Sequence, residues 1–243
     1  LDRTDVQVLK GINYIEYLDT EISGSVEVYY MGQTGNVRVT GVDQKVWSHI
    51  TTDDIADGRM LDSADQNVVV IGGGLADSYF DQPVGINKML TIEGSAFRIV
   101  GVLDDNSNSI IMPISSAYNV IEDKVRDEYD SIVIKLKNED DVDAAMEVIG
   151  EKLMVRRHVT EKDKDFSLSS SKQMMETRSE MMSSMNAFLV AIAAVSLIVG
   201  AVGIANTMFT SILERTKEIG VLKAIGAKNS EILIIFLLES SIL

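Results

Sequence analysis

A long uncharged run near the carboxyl end limits what this chain can fold into. Ala187 to Leu213 reads AFLVAIAAVSLIVGAVGIANTMFTSIL, and the stretch without a charged residue reaches back to Met181. A helix rises about 1.5 Å per residue, so roughly 20 apolar residues cross a hydrocarbon core about 30 Å thick. A buried helix of a soluble protein seldom stays uncharged for so long. The run therefore predicts a transmembrane helix over residues 187–213.

The segment after this run is short and charged. Residues 214–230 contain Gly220 and Gly226, and an apolar set formed by Ile219, Leu222 and Ile225. Such a helix can lie in the membrane interface with its charges turned to the cytosol. A short basic segment beside a span is typical of the cytoplasmic side. Residues 231–243 are mostly apolar again and predict the start of a further transmembrane helix. The basic residues of the charged segment are Arg215, Lys217, Lys223 and Lys228.

Residues 167–186 lead into the span without Gly or Pro. They predict a stalk that is continuous with the span, forming one helix from Ser167 to about Thr210 with a length of about 65–70 Å. Its methionines favour packing against another helix, although thioether sulfur also binds Cu(I). These residues are Met174, Met175, Met181, Met182 and Met185.

Small residues recur along the span at alternating spacings of three and four. A stripe of this kind lets two helix backbones approach closely within a membrane. The stripe therefore predicts a helix-packing face. Its residues are Ala193, Ser196, Gly200, Gly203 and Thr207.

The charge is distributed unevenly. The net charge is −15, and residues 214–243 hold equal numbers of acidic and basic residues, so the excess acidity lies before the span. An acidic extracytoplasmic part, residues 1–186, repels nucleic acid, and no nucleic-acid partner is expected. Cysteine is absent, which excludes disulfides and thiolate metal sites.

Residues 1–166 alternate between helical and strand patterns, and they predict an α+β extracytoplasmic domain of two lobes, one of them β-rich at about 41–117. Helices are expected at Asp2–Gly11 and Asn138–Leu153, with a strand–turn–helix block over residues 68–80. Strands are expected at Ser25–Tyr30, Val37–Val42, Met89–Ile92, Ala96–Val102, Ser109–Ile114, Asp130–Leu136 and Met154–Thr160.

Patterns that suggest chemistry are incomplete. Gly72-Gly73-Gly74 lacks the remainder of a phosphate-binding motif and reads as a turn. Asp104-x-Asn106-x-Asn108 begins like a calcium loop but lacks its Gly and its final Glu. His49 and His158 stand alone in the sequence. We therefore expect no catalytic, cofactor-binding or metal site in this chain.

The junction after the span resembles the signature of the MacB/FtsX-like ABC transporter permeases. That signature runs from a Gly-rich span end through E-R-T-R/K-E-I-G and K-A-I/L-G-A to an apolar run containing F-L-x-E. A looser resemblance to the periplasmic core domain of the same family lies in IGGGLADSYF, Pro83-Val84-Gly85 and IEGSAFRIVGVL. The residues that match the signature are Glu214, Arg215, Thr216, Lys217, Glu218, Ile219, Gly220, Lys223, Ala224, Gly226, Ala227 and Glu239.

This resemblance implies partners and a mechanism. Residues 214–230 would form a coupling helix that fits a groove in a cytoplasmic ABC ATPase subunit, with Glu214 to Gly220 as its coupling residues. The permease would work as a dimer. ATP hydrolysis on a partner subunit or a further domain would then move the extracytoplasmic domain and export a substrate, as in efflux. The permease itself would be non-catalytic.

Two other functions stay open at this point. An FtsX-like permease would signal to an extracellular partner, such as a cell-wall hydrolase, without transport. A binding domain on a single membrane anchor would need no ATPase, but the second apolar run argues against it. The chain begins at Leu1 without a Met or signal peptide. We therefore expect an internal fragment of a multi-pass membrane protein, with a span before it and more chain after it.

Overall fold

The structure is a computed structural model that describes residues 1–242, with the side chains of residues 1–235, 237 and 238. It divides into two compact units, residues 1–168 and the residues from Ser169 onward. The first unit, which is described throughout, holds helices α1 to α5 and strands β1 to β8. The helices are α1 (Arg3–Lys10), α2 (Trp47–Ile50), α3 (Gly73–Asp77), α4 (Ile114–Val120) and α5 (Val142–Arg157). The strands are β1 (Ile15–Tyr30), β2 (Gln33–Val42), β3 (Ile55–Gly58), β4 (Val68–Ile71), β5 (Met89–Ile92), β6 (Ser95–Leu103), β7 (Ser109–Pro113) and β8 (Ser131–Leu136).

Strand β1 is long enough to belong both to the β-rich part of the first unit and to the part formed with β8, α1 and α5. Its first half pairs with β8, and its second half, from Ile22, pairs with β2. The order of the sheet is β2-β7-β4-β6-β5-β1-β8, with β3 on β6 and an additional pairing between β1 and β2. These pairings close six strands into a ring, which leaves few free edges. The unit has the predicted α+β class.

The β1–β2 hairpin turns more tightly than the sequence predicts. Met31 and Gly32 have positive φ values of 47° and 94°, and Tyr30 pairs directly with Gln33. Two central residues with positive φ match the right-handed twist of the flanking strands. The segment 31–36 between the two predicted strands therefore contains a turn of only two residues, and Gln33 already belongs to β2.

Two hydrophobic clusters cover the faces of the β-rich part. The larger one joins the ring strands to α3 and α4, and it includes Val28, Leu75 and Ile99. The second contains Trp47 together with Leu61 and other apolar residues. Because the second half of β1 and Val37 and Val39 of β2 contribute to the larger cluster, the β-rich part extends beyond the predicted range 41–117 at its amino-terminal side.

A third cluster joins α1 and α5 to the first half of β1 and to β8. Leu9, Leu18, Ala145, Ile149 and Leu153 are buried in it. The last three recur every four residues along α5, so they form one inward face of a single helix.

The predicted strand Met154–Thr160 is wrong. Helix α5 continues to Arg157 and ends at His158, which adopts the left-handed conformation that closes helices. The helix persists because Leu153 continues its buried face, while Val155 points to solvent. The two arginines in its last turn also suit the negative end of the helix dipole.

The second unit contains three helices in its described part. They are α6 (Ser171–Glu214), α7 (Thr216–Ala224) and α8 (Asn229–Ile242). Helix α6 begins four residues later than the predicted Ser167, because the Ser170 hydroxyl caps it by accepting a hydrogen bond from the Gln173 backbone N–H at 3.2 Å. Its 44 residues correspond to a length of about 66 Å.

Candidate coupling segment and membrane helix

Helix α6 joins the predicted stalk and span without interruption. Within residues 1–242, it is the one helix long and apolar enough to cross a membrane. All five stalk methionines and most of the large apolar residues of the span are exposed. A helix that is apolar around its whole circumference and exposed to water would be unstable, so its surroundings must be lipid or other helices.

The small-residue stripe is open along one side of α6. At 100° per residue, its five members fall within an arc of about 80°. Apart from the neighbouring residues and backbone of α6 itself, no described atom lies within 4 Å of a Cβ added at Gly200 or Gly203. The residues on this stripe are Ala193, Ser196, Gly200, Gly203 and Thr207.

The hydroxyl groups of the span are satisfied within the helix. Ser196 donates to the Ile192 carbonyl at 2.9 Å, and Thr207 donates to the Gly203 carbonyl at 3.0 Å. In lipid, an unpaired hydroxyl would be costly, and this bonding removes that cost. The stripe therefore presents small side chains and backbone, without a polar group that needs a partner.

Helix α6 ends at the first residue of the family signature. Glu214 is its last residue, and Arg215 has φ −95° and ψ 14°, which separates α6 from α7. The Thr216 hydroxyl donates to the Leu213 carbonyl at 2.9 Å and to the Ile212 carbonyl at 3.1 Å. These bonds satisfy carbonyls that a helix end would otherwise leave without donors.

Helix α7 carries the rest of the predicted coupling residues. Ile219 and Leu222 lie three residues apart and are partly covered, whereas Lys217, Glu218 and Gly220 are exposed. Of the predicted apolar set, Ile225 departs from the pattern, since it follows the end of α7 and is exposed. The helix thus has a partly covered apolar side and an exposed charged side that a partner can contact.

A glycine turn separates α7 from α8. Gly226 has φ 96°, and the Ala227 N–H donates to the Leu222 carbonyl at 3.0 Å. Only glycine adopts this conformation without strain. Helix α8 has 14 residues in the described range, and the Glu239 side chain of the family signature lies outside the described residues.

The glycine triplet and the calcium-like loop form one packed turn. The Gly73 N–H donates to the Asp105 carboxylate at 2.9 Å. A Cβ at Gly72 would lie 2.2 Å from the Ser107 carbonyl oxygen, so the two loops are in close contact. Desolvation raises the pKa of Asp105, but hydrogen bonds from Ser107 and Gly73 outweigh it and hold the pKa below its ordinary value. Among the described residues, no cluster of three or more Asp, Glu, His or Cys side chains is placed to hold a metal ion.

An ion-pair network at the end of α5 is not evident from the sequence. The buried Asp5 carboxylate accepts a hydrogen bond from Arg157 Nη1 at 2.7 Å, and Arg157 also binds Asp165 through two nitrogens. Arg156 Nη2 binds both carboxylate oxygens of Asp2 at 2.7 and 2.9 Å. Hydrogen bonds, first that of the Asp5 backbone, lower the pKa of Asp2 to about 2. The visible signal was the Arg156-Arg157 pair, but nothing in the sequence assigns its partners.

Asp19 is a buried carboxyl group in the middle of β1. Its Oδ1 accepts a hydrogen bond from the Asp43 N–H at 2.7 Å, and its Oδ2 lacks a hydrogen-bond partner in the described structure. Desolvation is the main cause that raises the pKa of Asp19 to about 7, with Coulomb repulsion from Glu21 and Asp43 adding to it. No feature of the sequence predicts this burial.

Comparison with known proteins identifies the family. Residues 1–152 match the MacB-like periplasmic core domain, and residues 190–243 match the FtsX-like permease C-terminal region. An ABC transporter permease of Methanocaldococcus jannaschii is 32% identical over 99% of this chain, and the macrolide export ATP-binding/permease protein MacB of Bdellovibrio bacteriovorus is 30% identical over 97%. The chain spans 61% of the length of the first relative and 38% of the second.

Solved structures support the same fold. The periplasmic region of MacB from Actinobacillus actinomycetemcomitans matches with a TM-score of 0.62 and 20% identity, covering 74% of this chain and 83% of that one. The extracellular domain of YknZ from Gram-positive bacteria matches with a TM-score of 0.56 and 15% identity, covering 66% and 86%. Because one family model matches residues 1–152 and the other matches residues 190–243, the chain belongs to the MacB/FtsX-like ABC transporter permeases.

Proposed function

We propose that this chain transmits motion from a cytoplasmic ABC ATPase to an extracytoplasmic domain and so drives export of a substrate. Residues 1–166 would be that domain, 167–186 the stalk, 187–213 the span, 214–230 the coupling helix, and 231–243 the start of another span of a multi-pass protein. The observation that carries the proposal is the single helix α6, which reaches from the stalk to Glu214 without a break.

The coupling residues would act through the exposed side of α7. The predicted coupling residues begin at the end of α6, so a displacement of α7 would be passed directly to the longer helix. These residues are Glu214, Arg215, Thr216, Lys217, Glu218, Ile219 and Gly220. Because α6 is hydrogen-bonded along its whole length, it resists bending better than a loop would. ATP hydrolysis itself would take place on the ATPase.

A second permease copy would complete the membrane part. The small-residue stripe on α6 offers a close-packing face, and the exposed apolar stalk offers another. The relative MacB is an ATP-binding/permease protein. We therefore expect one ATPase for each permease copy, on a separate chain or in the same one.

Alanine variants of Arg215 and Glu218 test the proposal in the full-length permease with its ATPase. Arg215→Ala and Glu218→Ala should leave ATP hydrolysis by the ATPase intact but abolish ATP-driven movement of residues 1–166. Arg126→Ala is a matched control, since Arg126 is an exposed basic residue outside the coupling segment 214–230. Full ATPase binding and full movement in both variants would refute the coupling assignment.

Two further measurements, stimulation of ATP hydrolysis by a substrate and capture of a secreted partner, separate export from signalling. A substrate that stimulates ATP hydrolysis would support export. Capture of a secreted cell-wall hydrolase by residues 1–168, without any stimulating substrate, would refute export in favour of signalling.

A further inference from the structure

Residues 158–170 connect α5 to α6, and their length matters for any transmission of motion. These thirteen residues, HVTEKDKDFSLSS, include neither a helix nor a strand. If they were free, they could extend to about 45 Å at about 3.5 Å per residue. A free connection of this length would absorb a displacement of α6 instead of passing it to the first unit.

The structure shows that this connection, which belongs to the first unit as far as Leu168, packs against the cluster of α1 and α5. Phe166 and Leu168 pack against the cluster of α1 and α5, and Leu168 Cδ1 lies 3.4 Å from the position of a Cβ at Gly150. Asp165 is bound by the Arg157 guanidinium through Nε at 2.8 Å and through Nη2. Only Ser169 and Ser170 then separate the held part from the first residue of α6.

The arginine that holds Asp165 is itself fixed from the other side. Arg157 Nη1 lies 2.7 Å from Asp5 Oδ2, and the Asp5 side chain is fully buried. Asp5 belongs to the first turn of α1, where its Oδ2 also accepts the Asp2 N–H at 2.9 Å. Asp5, Arg157 and Asp165 thus form a continuous chain of ion pairs from α1 through the end of α5 to the connection before α6.

We propose that the Asp5–Arg157–Asp165 chain is a latch that removes slack between α6 and the extracytoplasmic unit. This inference rests on the proposed function, because a latch is needed only if α6 transmits motion. Asp165 is the end of the latch that can be changed safely, since its side chain is half exposed. Arg157 cannot serve in this way, because its removal would leave the buried Asp5 charge without its closest partner.

The test uses Asp165→Asn in the full-length permease with its ATPase. Asn keeps the size of the side chain but removes the charge that binds both guanidinium nitrogens. Amide hydrogen exchange in residues 159–168 should become about 10-fold faster or more, as expected when a segment opens locally. ATP-driven movement of the first unit should fall to less than half, with ATP hydrolysis unchanged, and Asp165→Glu should restore the movement.

Glu161→Gln is the matched control. Glu161 pairs with Lys164 at 2.5 Å, and that exposed pair lies entirely within the connection. Unchanged exchange or unchanged movement in Asp165→Asn would overturn the latch, as would an equal loss of movement in Glu161→Gln. If Arg215→Ala and Glu218→Ala also leave movement unchanged, the proposed function fails as well. If those two abolish it and Asp165→Asn does not, the latch alone is refuted.

Discussion

Replacing Asp19 by Asn should stabilise the first unit at neutral and alkaline pH. Burial raises the pKa of Asp19 from its ordinary value of 3.8 to about 7. The folded state therefore binds the proton more tightly than the unfolded state does. The contribution of Asp19 to stability is fully present below about pH 4, and it is lost as pH rises toward 7.

The size of this effect follows from the difference in pKa. A difference of one unit between the folded-state and unfolded-state pKa values corresponds to about 1.36 kcal/mol. Ionised Asp19 therefore costs the folded state about 4 kcal/mol above pH 7. In Asp19→Asn, the side-chain oxygen can still accept the Asp43 N–H, as Asp19 does now at 2.7 Å. The new NH₂ group has no acceptor assigned and costs about 1 kcal/mol or more. We therefore expect a net gain of up to about 3 kcal/mol at pH 8, and a loss of about 1 kcal/mol near pH 4, where Asp19 is protonated and only the cost of the NH₂ group remains.

Urea unfolding of residues 1–168 at a series of pH values measures this. Wild type should lose stability between pH 4 and 7, and Asp19→Asn should lose clearly less. Glu16→Gln is the matched control, because it removes one negative charge from the same strand at an exposed position. Equal pH dependence in wild type and Asp19→Asn would refute the reasoning, since it would mean that Asp19 ionises at no cost in the folded state.

Three further variants test the packing of the two units. Arg157→Ala should cost the first unit about 3 kcal/mol by leaving the Asp5 charge buried, which lowers the Tm by about 6–12 °C in a thermal melt; an unchanged Tm would contradict the burial of Asp5. Gly220→Ala should stabilise α7 by about 0.5–1 kcal/mol, because open space surrounds this helix position; lost ATPase binding, measured by co-purification, would then show close contact with a partner. Gly203→Leu should weaken association of α6 with another helix in a membrane cross-linking assay, whereas Val202→Leu, on the other side of α6, should not; equal effects would refute the small-residue face.

Local patterns predicted much of this fold because they depend on neighbouring residues. The uncharged run fixed the position of α6, and the alternation in Ile132, Ile134 and Leu136 placed β8. The predicted end of α5, at Leu153, was wrong for a physical reason. Val155 favours a strand locally, but the buried face formed with Ala145 and Ile149 outweighs that preference.

The candidate sites show the same contrast between local patterns and contacts that depend on the complete fold. The predicted coupling residues are contiguous in sequence, so a motif can propose them. The latch joins Asp5 to Arg157, which are 152 positions apart, and Asp19 is buried only because strands and a helix from distant segments surround it. Contacts of this kind depend on the complete fold, and a sequence pattern cannot reveal them.

Breaking the stalk tests the central claim most directly. Met181→Gly together with Met182→Pro should interrupt α6 between the first unit and the span, because Pro removes a helical hydrogen bond. A spin label on a cysteine at Val125, an exposed residue, reports the distance between two permease copies with and without ATP. We predict that ATP changes this distance in the intact permease and leaves it unchanged in the broken one, while ATP hydrolysis continues in both. The same change of distance in both proteins would contradict transmission through α6.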